Sequence, residues 1–272
     1  MDAPAGLLPL PRPLMTGEVL DAAFRLFRAG LFRCVPYSGL AVLAIEFPAF
    51  YSSFLTAAMS TGTAFNVPHL GATVYGIFFV FLTFLLGVIT LRLHAIARGE
   101  RPTFRREVGT AFRRWPPALI ATAGAIGLPV LLALVATLEL GSRFVVMLVF
   151  AAPVMWLTSL LILALPAYWC DRIGPFAAIA RAVSLARRRS WRVMGALLAT
   201  SCMVATFYVL SAIIVGFLSQ LIGYADLFVI AAVSSMLSLV FGALGVPFVI
   251  AVLIVAHEDL KRRDAERHGV DA

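Results

Sequence analysis

Charged residues are scarce in this chain, and acidic residues are scarcer than basic ones. Only 13% of the 272 residues are charged, with 14 Asp and Glu against 22 Lys and Arg. Hydrophobic residues make up 61%, well above the share of a soluble domain, and the mean hydropathy is +0.96. A soluble core of this length cannot hide so much apolar surface. The composition therefore predicts an integral membrane protein, with residues 1–272 forming one polytopic domain.

Motifs for catalysis, metal binding and secretion are also missing. The three cysteines form no CxxC pair, and neither a Walker loop nor a GxSxG elbow occurs. His257-Glu258-Asp259 lacks the second histidine of a zinc-protease helix. No acid and base converge in the sequence, so we predict no enzyme activity, no cofactor and no metal. Residues 1–15 lack the basic region of a signal peptide and predict a loosely ordered, proline-rich lead-in, while residues 258–272 predict a solvated polar tail.

What the sequence does have is six long apolar segments, each with the roughly 20 residues that a helix needs to cross a bilayer core. They lie near residues 35–58, 70–91, 117–138, 144–169, 193–224 and 227–256. An arginine-bearing stretch with apolar residues at helical spacing precedes each pair, beginning near Thr16, Phe104 and Pro175. These stretches predict interfacial amphipathic helices, the second of which is expected to end at Pro116 and Pro117. Pro153 and Pro166 predict interruptions of the fourth span. The predicted fold class is thus all-α integral membrane, with about six transmembrane helices in three hairpins, each preceded by an interfacial helix.

The basic residues are distributed very unevenly about these segments. The N-terminal stretch, the loops after the second and fourth spans, and the C-terminal tail hold 21 of the 22 Lys and Arg residues. Because cytoplasmic loops carry the excess of Lys and Arg, both termini and both long loops are predicted to be cytoplasmic. These basic residues lie in short clusters beside apolar spans, and this distribution also argues against a nucleic-acid partner.

The arginine clusters are candidate contacts for anionic lipid headgroups, which attract basic segments at the cytoplasmic surface. The candidate residues are Arg105, Arg106, Arg113, Arg114, Arg181, Arg187, Arg188, Arg189 and Arg192. Membrane lipids are therefore the predicted partners, together with a membrane-protein partner or a second copy of the chain.

Glu46 is the one acidic residue predicted deep within a span. It lies 13 residues beyond Arg33, about 19 Å along a helix, and no basic residue is predicted at similar depth. An intramembrane carboxylate suggests a functional site, and Pro48 predicts a kink beside it. We expect Glu46 to be protonated or to face a polar cavity lined by hydroxyls such as Ser201, Thr206 or Ser235. The alternative interpretation is a neutral acid that merely hydrogen-bonds a neighbouring helix.

Three segments of the chain resemble a known bacterial family. GEVLDAAFRLFR, DRIGPFAAIARAVSLARRRSWRVMGALL and LIVAHEDLKRR are similar to the membrane domain of glycerophosphoryl diester phosphodiesterases and its free-standing relatives of unknown function. The residues that match the family pattern are Asp171, Gly174, Pro175, Ala178, Arg181, Trp191 and Arg192, while Ala182 replaces a common serine.

The resemblance implies a bacterial inner-membrane module without phosphodiesterase activity, because in the fused relatives a separate barrel domain performs the hydrolysis. Two functions are carried forward from the sequence. The favoured one is a non-enzymatic membrane protein that organises lipid or partner proteins at the cytoplasmic face. The alternative is a small transporter or permease for an amphiphilic substrate, working around Glu46.

Overall fold

The computed structural model describes residues 7–10, 12–60, 70–101, 103–129, 144–187, 189–222 and 227–267. Within these ranges the chain forms helices and no strand, so the predicted all-α class is confirmed. The helices are α1 (Thr16–Ser60), α2 (Leu70–Ala97), α3 (Phe104–Thr122), α4 (Phe144–Leu161), α5 (Ala164–Cys170), α6 (Pro175–Arg187), α7 (Ser190–Ile222) and α8 (Leu227–Arg267). Helix α1 packs mainly against α8 and α2, and α7 packs beside α8.

Among the described residues, five helical segments are long and apolar enough to cross a membrane, as a multi-pass membrane protein requires. They are Thr16–Phe47, Thr73–Ala97, Ala152–Cys170, Ser190–Gln220 and Val233–Arg267. These segments overlap the first, second, fourth, fifth and sixth predicted spans. The predicted third span continues into residues 130–138, which lie outside the described residues, so the arrangement of six spans in three hairpins remains a prediction.

The outer face of α7 carries a stripe of exposed apolar side chains. Val209, Ile213 and Phe217 recur at helical spacing, and each exposes more than half of its surface. A soluble protein would bury a stripe of this kind, whereas a bilayer covers it with acyl chains. The exposed stripe therefore agrees with the membrane class.

Helix α1 includes both the predicted first interfacial helix and the predicted first span, so the interfacial helix is not a separate element. The helix runs from Thr16 to Ser60 without interruption and passes through Pro36 and Pro48. Its predicted start at Thr16 is confirmed. The Glu18 carboxylate caps this end of the helix by accepting a hydrogen bond from the Met15 N–H at 2.7 Å. Packing along α8 supports the helix around the proline: the Ser38 hydroxyl donates to the Ala243 carbonyl of α8 at 2.6 Å.

Helix α3 corrects the prediction that Pro116 and Pro117 end the second interfacial helix. Both prolines lie inside α3, which continues to Thr122 and then into a π-helical turn at Ala123–Gly127. In that turn the Leu128 N–H donates to the Ala123 carbonyl, five residues back. The interfacial helix and the following apolar segment are therefore one rod. The buried alanines of α3 explain this, because their close packing outweighs the two missing proline donors.

The fourth predicted span is broken once. Pro153 lies inside α4, so the predicted interruption there is wrong. The break falls at residues 162–163, between α4 and α5, where Pro166 cannot donate to the Ile162 carbonyl four residues back. After α5, a short loop at residues 171–174 leads into α6, whose first residue is Pro175 as predicted.

The described parts of both terminal segments pack against the bundle, whereas the sequence predicts a loosely ordered lead-in and a solvated tail. In the lead-in, Leu8 and Leu10 are buried, and the Leu8 N–H donates to the Ala97 carbonyl at 2.9 Å. At the other end, α8 extends to Arg267 and buries His257 completely. The two ends meet where the Leu14 N–H donates to Asp259 at 2.7 Å. The tail is therefore largely buried as far as Leu260, half-buried from Lys261 to Ala265 and exposed at Glu266 and Arg267.

Gly87 in α2 makes room for the fully buried indole of Trp169. A Cβ atom added at Gly87 would lie 2.4 Å from Trp169 Cζ2, whereas one at the exposed Gly76 of the same helix would meet nothing within 4 Å. We expect Gly87→Ala to lower the free energy of unfolding by about 1 kcal/mol, because overpacking exceeds the gain in helix propensity. Denaturant unfolding in detergent micelles measures this. Gly76→Ala is the control, and an equal effect at the two sites would contradict the packing account.

Candidate functional site

Polar contacts gather where the C-terminal ends of α2 and α8, the first half of α3 and the loop at residues 171–174 meet. We call this region the polar end and define it by Arg92, Glu107, Asp171, His257 and Lys261. These residues come from segments far apart in the chain. The basic stretches that the sequence places around separate spans therefore share one region of the folded protein.

The first pair of the polar end is the buried ion pair of Arg92 and Glu107. Arg92 Nε lies 2.8 Å from Glu107 Oε2, and both side chains are at most about a tenth exposed. The same guanidinium donates to the Arg33 carbonyl at 2.7 Å and lies 4.9 Å from the centre of the Tyr37 ring. The pair thereby links α1, α2 and α3.

The second cluster forms around Asp171 in the loop between α5 and α6. Its two carboxylate oxygens lie 2.9 Å from His257 Nε2 and 2.8 Å from Lys261 Nζ, the only lysine of the sequence. Burial by itself would raise the pKa of Asp171, but the hydrogen bonds from His257 and Lys261 outweigh it and hold that pKa well below its ordinary value. The carboxylate is therefore ionised at neutral pH. The cluster attaches the loop to α8.

The same cluster contains residue types that act as metal ligands in other proteins. Asp171, His257 and Glu258 bring ligand atoms within 4.8 Å of one another. The Lys261 ammonium already lies 2.8 Å from Asp171 and 3.8 Å from Glu258, which gives the carboxylates a cation from the chain itself. A metal ion would have to displace it. The cluster is therefore described as an internal ion-pair network, and the absence of a metal remains a prediction.

A cavity of about 400 Å³ opens beside the polar end, between the end of α2, the start of α3 and the loop after α5. Four exposed arginines line it: Arg98, Arg101, Arg106 and Arg172. We call it the arginine cavity. Two glutamates also line it, but Glu107 is already paired with Arg92. The cavity therefore carries an excess of positive charge.

The backbone on either side of the arginine cavity is fixed by local conformation. Helix α2 ends in a turn with Gly99 at φ 72°, in which the Glu100 N–H donates to the Ala95 carbonyl and the Gly99 N–H to the Ile96 carbonyl. On the opposite side, Arg172 has φ 57°, a conformation that few residues other than glycine adopt. Such strained backbone is concentrated at functional sites.

The predicted lipid-contact arginines fall into different environments. Arg105, Arg113 and Arg187 are exposed, and Arg106 lines the arginine cavity. Arg114 is engaged inside the protein, where it donates to the Ile173 carbonyl at 2.9 Å and stacks over the Tyr168 ring. The remaining predicted contacts are Arg181, which lies 3.9 Å from Asp264, the half-buried Arg189 and Arg192, and Arg188, which is outside the described residues.

Arg189 and Arg192 lie near basic residues of α8. Burial, followed by the guanidinium groups of Arg263, Arg267 and Arg192, lowers the pKa of Arg189. The fold thus concentrates positive charge from two distant segments at one place. Such crowding of cations is typical of a surface that meets anions.

The residues of the family-like pattern lie in the loop after α5, in α6 and at the start of α7. Asp171 holds the network with His257 and Lys261, and the Gly174 carbonyl accepts the Ala178 N–H at 2.8 Å in the first turn of α6. Ala178 is fully buried, and Trp191 is exposed in the first turn of α7. Asp171 and Gly174 thus shape and anchor this loop, whereas Trp191 lies at the exposed start of α7.

Glu46 lies far from the polar end. Its Oε1 accepts a hydrogen bond from the Ser238 hydroxyl at 3.2 Å, and its side chain is exposed in the protein. The hydrogen-bond partner of Glu46 is therefore Ser238 of α8 and not one of the three hydroxyl residues expected from the sequence. Pro48 continues α1, and its side chain is outside the described set. The arginine cavity does not include Glu46.

Several residues of the site were missed by sequence reasoning. The sequence places Lys261 in a solvated tail and offers His257 only as part of an incomplete zinc motif, while Arg98, Arg101 and Arg172 count only as topology signals. The expectation that no acid and base converge is corrected by the contact of Asp171 with His257, 86 residues apart. Only the high arginine content of the two loops pointed to this region.

The fold and composition together define an all-helical chain of the multi-pass membrane class. A comparison with protein-family models, curated proteins and solved structures finds no match.

Proposed function

We propose that the protein is a non-enzymatic, multi-pass membrane protein of the bacterial inner membrane that organises anionic lipid at the cytoplasmic surface. The observation that carries the proposal is the exposed face of α3. Phe104 and Phe112 are 59% and 66% exposed, and the neighbouring Arg105 and Arg113 are exposed as well. Aromatic side chains insert at the headgroup level while guanidinium groups attract anionic headgroups.

The start of α6 and α7 repeats this combination. Phe176 is 72% exposed and Trp191 78% exposed, with the exposed Arg187 between them in sequence. Two separate helical segments therefore offer aromatic and basic side chains outward. The 21-to-1 distribution of basic residues supports placing this region on the cytoplasmic side, with both termini there.

Neutralising the exposed arginines tests the proposal. In Arg105→Gln/Arg113→Gln/Arg187→Gln we expect a clear loss of co-purified anionic phospholipid, because each basic residue near an anionic surface contributes about 1 kcal/mol. Mass spectrometry of lipid extracted from the purified protein measures the loss. The matched control is the triple Arg→Lys variant, which keeps the charge and the lipid. Equal lipid content in all three proteins would leave these arginines as topology signals only.

The alternative function is a small transporter that works around Glu46. Its support is the position of the acid within a membrane-spanning segment, where ionisable residues are costly and functional. Under the favoured proposal, Glu46→Gln leaves lipid retention unchanged, because the amide keeps the hydrogen bond to Ser238. Substrate-dependent proton flux in vesicles that disappears in Glu46→Gln would favour the transporter instead.

A further inference from the structure

We propose that the arginine cavity binds a single phosphate group, carried by a lipid headgroup or as free phosphate. This inference deepens the proposed function, and it rests on that function in placing the cavity at a membrane surface. The volume of about 400 Å³ lies within the range of small-ligand pockets, which starts at about 300 Å³.

The first support is the charge of the lining. The cavity is lined by four arginines, Arg98, Arg101, Arg106 and Arg172, against two glutamates. Glu107 is neutralised by Arg92 behind it, so Glu100 alone offsets the arginines. Guanidinium groups present planar pairs of N–H donors that match the oxygens of phosphate. Four of them around one cavity repel each other unless an anion or solvent screens them.

The second support is the N-terminus of α3, which begins at the cavity. Thr103 is the N-cap residue and lines the cavity, and its side chain makes no capping hydrogen bond. The first N–H groups of a helix have no partner within the helix and carry partial positive charge. This 19-residue helix therefore adds backbone donors and a favourable dipole to the arginines.

The third support is independent of charge. His94 Nδ1 and Trp169 Nε1 are buried without a hydrogen-bond partner, and both residues line the cavity. His94 is 9% and Trp169 1% exposed. A buried polar atom without a partner is costly, so the wall of the cavity holds hydrogen-bonding capacity that the described protein groups leave unsatisfied.

The test is a titration of inorganic phosphate into the full-length protein in phosphatidylcholine nanodiscs, followed by calorimetry. We expect saturable binding that weakens by about tenfold in Arg106→Gln and again in Arg172→Gln, since each removes a charge-assisted hydrogen bond. Arg105→Gln is the matched control, because Arg105 neighbours Arg106 on α3 but does not line the cavity. Its phosphate affinity should equal that of the wild type, although it belongs to the lipid-contacting face.

A second arm uses nanodiscs that also contain phosphatidic acid, whose headgroup is a phosphomonoester. Weaker apparent binding of inorganic phosphate there, or retention of phosphatidic acid that depends on Arg106, identifies the lipid as the source. Phosphate binding unaffected by phosphatidic acid identifies free phosphate. The proposal is overturned if neither ligand shows binding that depends on Arg106, or if Arg105→Gln acts as strongly as Arg106→Gln. Lipid loss in the surface triple variant is independent of either result, so the two proposals fail separately.

Discussion

Replacing Arg92 with methionine is expected to destabilise the protein by about 3–5 kcal/mol, because it leaves the buried Glu107 carboxylate without its partner. Arg92 Nε and Glu107 Oε2 are 2.8 Å apart, and the second oxygen, Oε1, has no hydrogen-bond partner. The substitution also removes the donor to the Arg33 carbonyl. Chemical unfolding in detergent micelles measures the change in the free energy of unfolding.

Two further variants make this expectation specific. Arg25→Met breaks the exposed pair with Asp21, in which both side chains are more than 60% exposed, and should change stability by less than about 0.5 kcal/mol. Arg92→Met/Glu107→Met removes both charges and should recover part of the lost stability. If the double variant is no more stable than Arg92→Met, the two charges are not coupled in the way their distance indicates.

The second large loss of stability is expected from Asp171→Asn. This change removes the charge that accepts hydrogen bonds from His257 and Lys261, and hydrogen bonds to charged groups contribute about 1.5–3 kcal/mol each. Because Lys261 is 39% exposed, its share is reduced by solvent, and we expect a total loss of about 2–3 kcal/mol. The same unfolding experiment measures it, with Asp21→Asn on the exposed surface as the control.

The pH dependence of the Asp171 variant gives an independent check. The pKa of Asp171 in the folded protein lies below the ordinary value of about 4, so its stabilisation is present above that value and is lost as pH falls below it. The stability difference between the wild type and Asp171→Asn should therefore narrow on acidification below about pH 4. A difference that stays constant down to low pH would contradict the ionised state.

Apolar run length and helix-start signals predicted much of the fold, because both are local. Five of the six predicted spans overlap segments long and apolar enough to cross a membrane. The starts at Thr16 and Pro175 were correct to the residue. Proline was the misleading signal: Pro116, Pro117 and Pro153 lie inside helices, since tertiary packing compensates for the lost backbone donor.

The site was much harder to predict, because its contacts join distant segments. His257 bonds Asp171 across 86 residues, and Leu14 bonds Asp259 across 245. A polar C-terminal sequence such as HEDLKRR is typical of a solvated tail, and nothing local shows that a carboxylate from another loop neutralises its lysine. The arginine cavity likewise requires the end of α2 and the loop after α5 to be adjacent.

The central claim is that this protein concentrates anionic lipid at its basic surface. The most direct measurement is the composition of the lipid that remains bound after reconstitution of the wild-type protein in vesicles with equal parts of phosphatidylglycerol and phosphatidylethanolamine, followed by gentle extraction and mass spectrometry. The account predicts that the retained lipid is enriched in phosphatidylglycerol relative to the vesicle, and that high salt reduces the enrichment. Retained lipid with the same composition as the vesicle would contradict it.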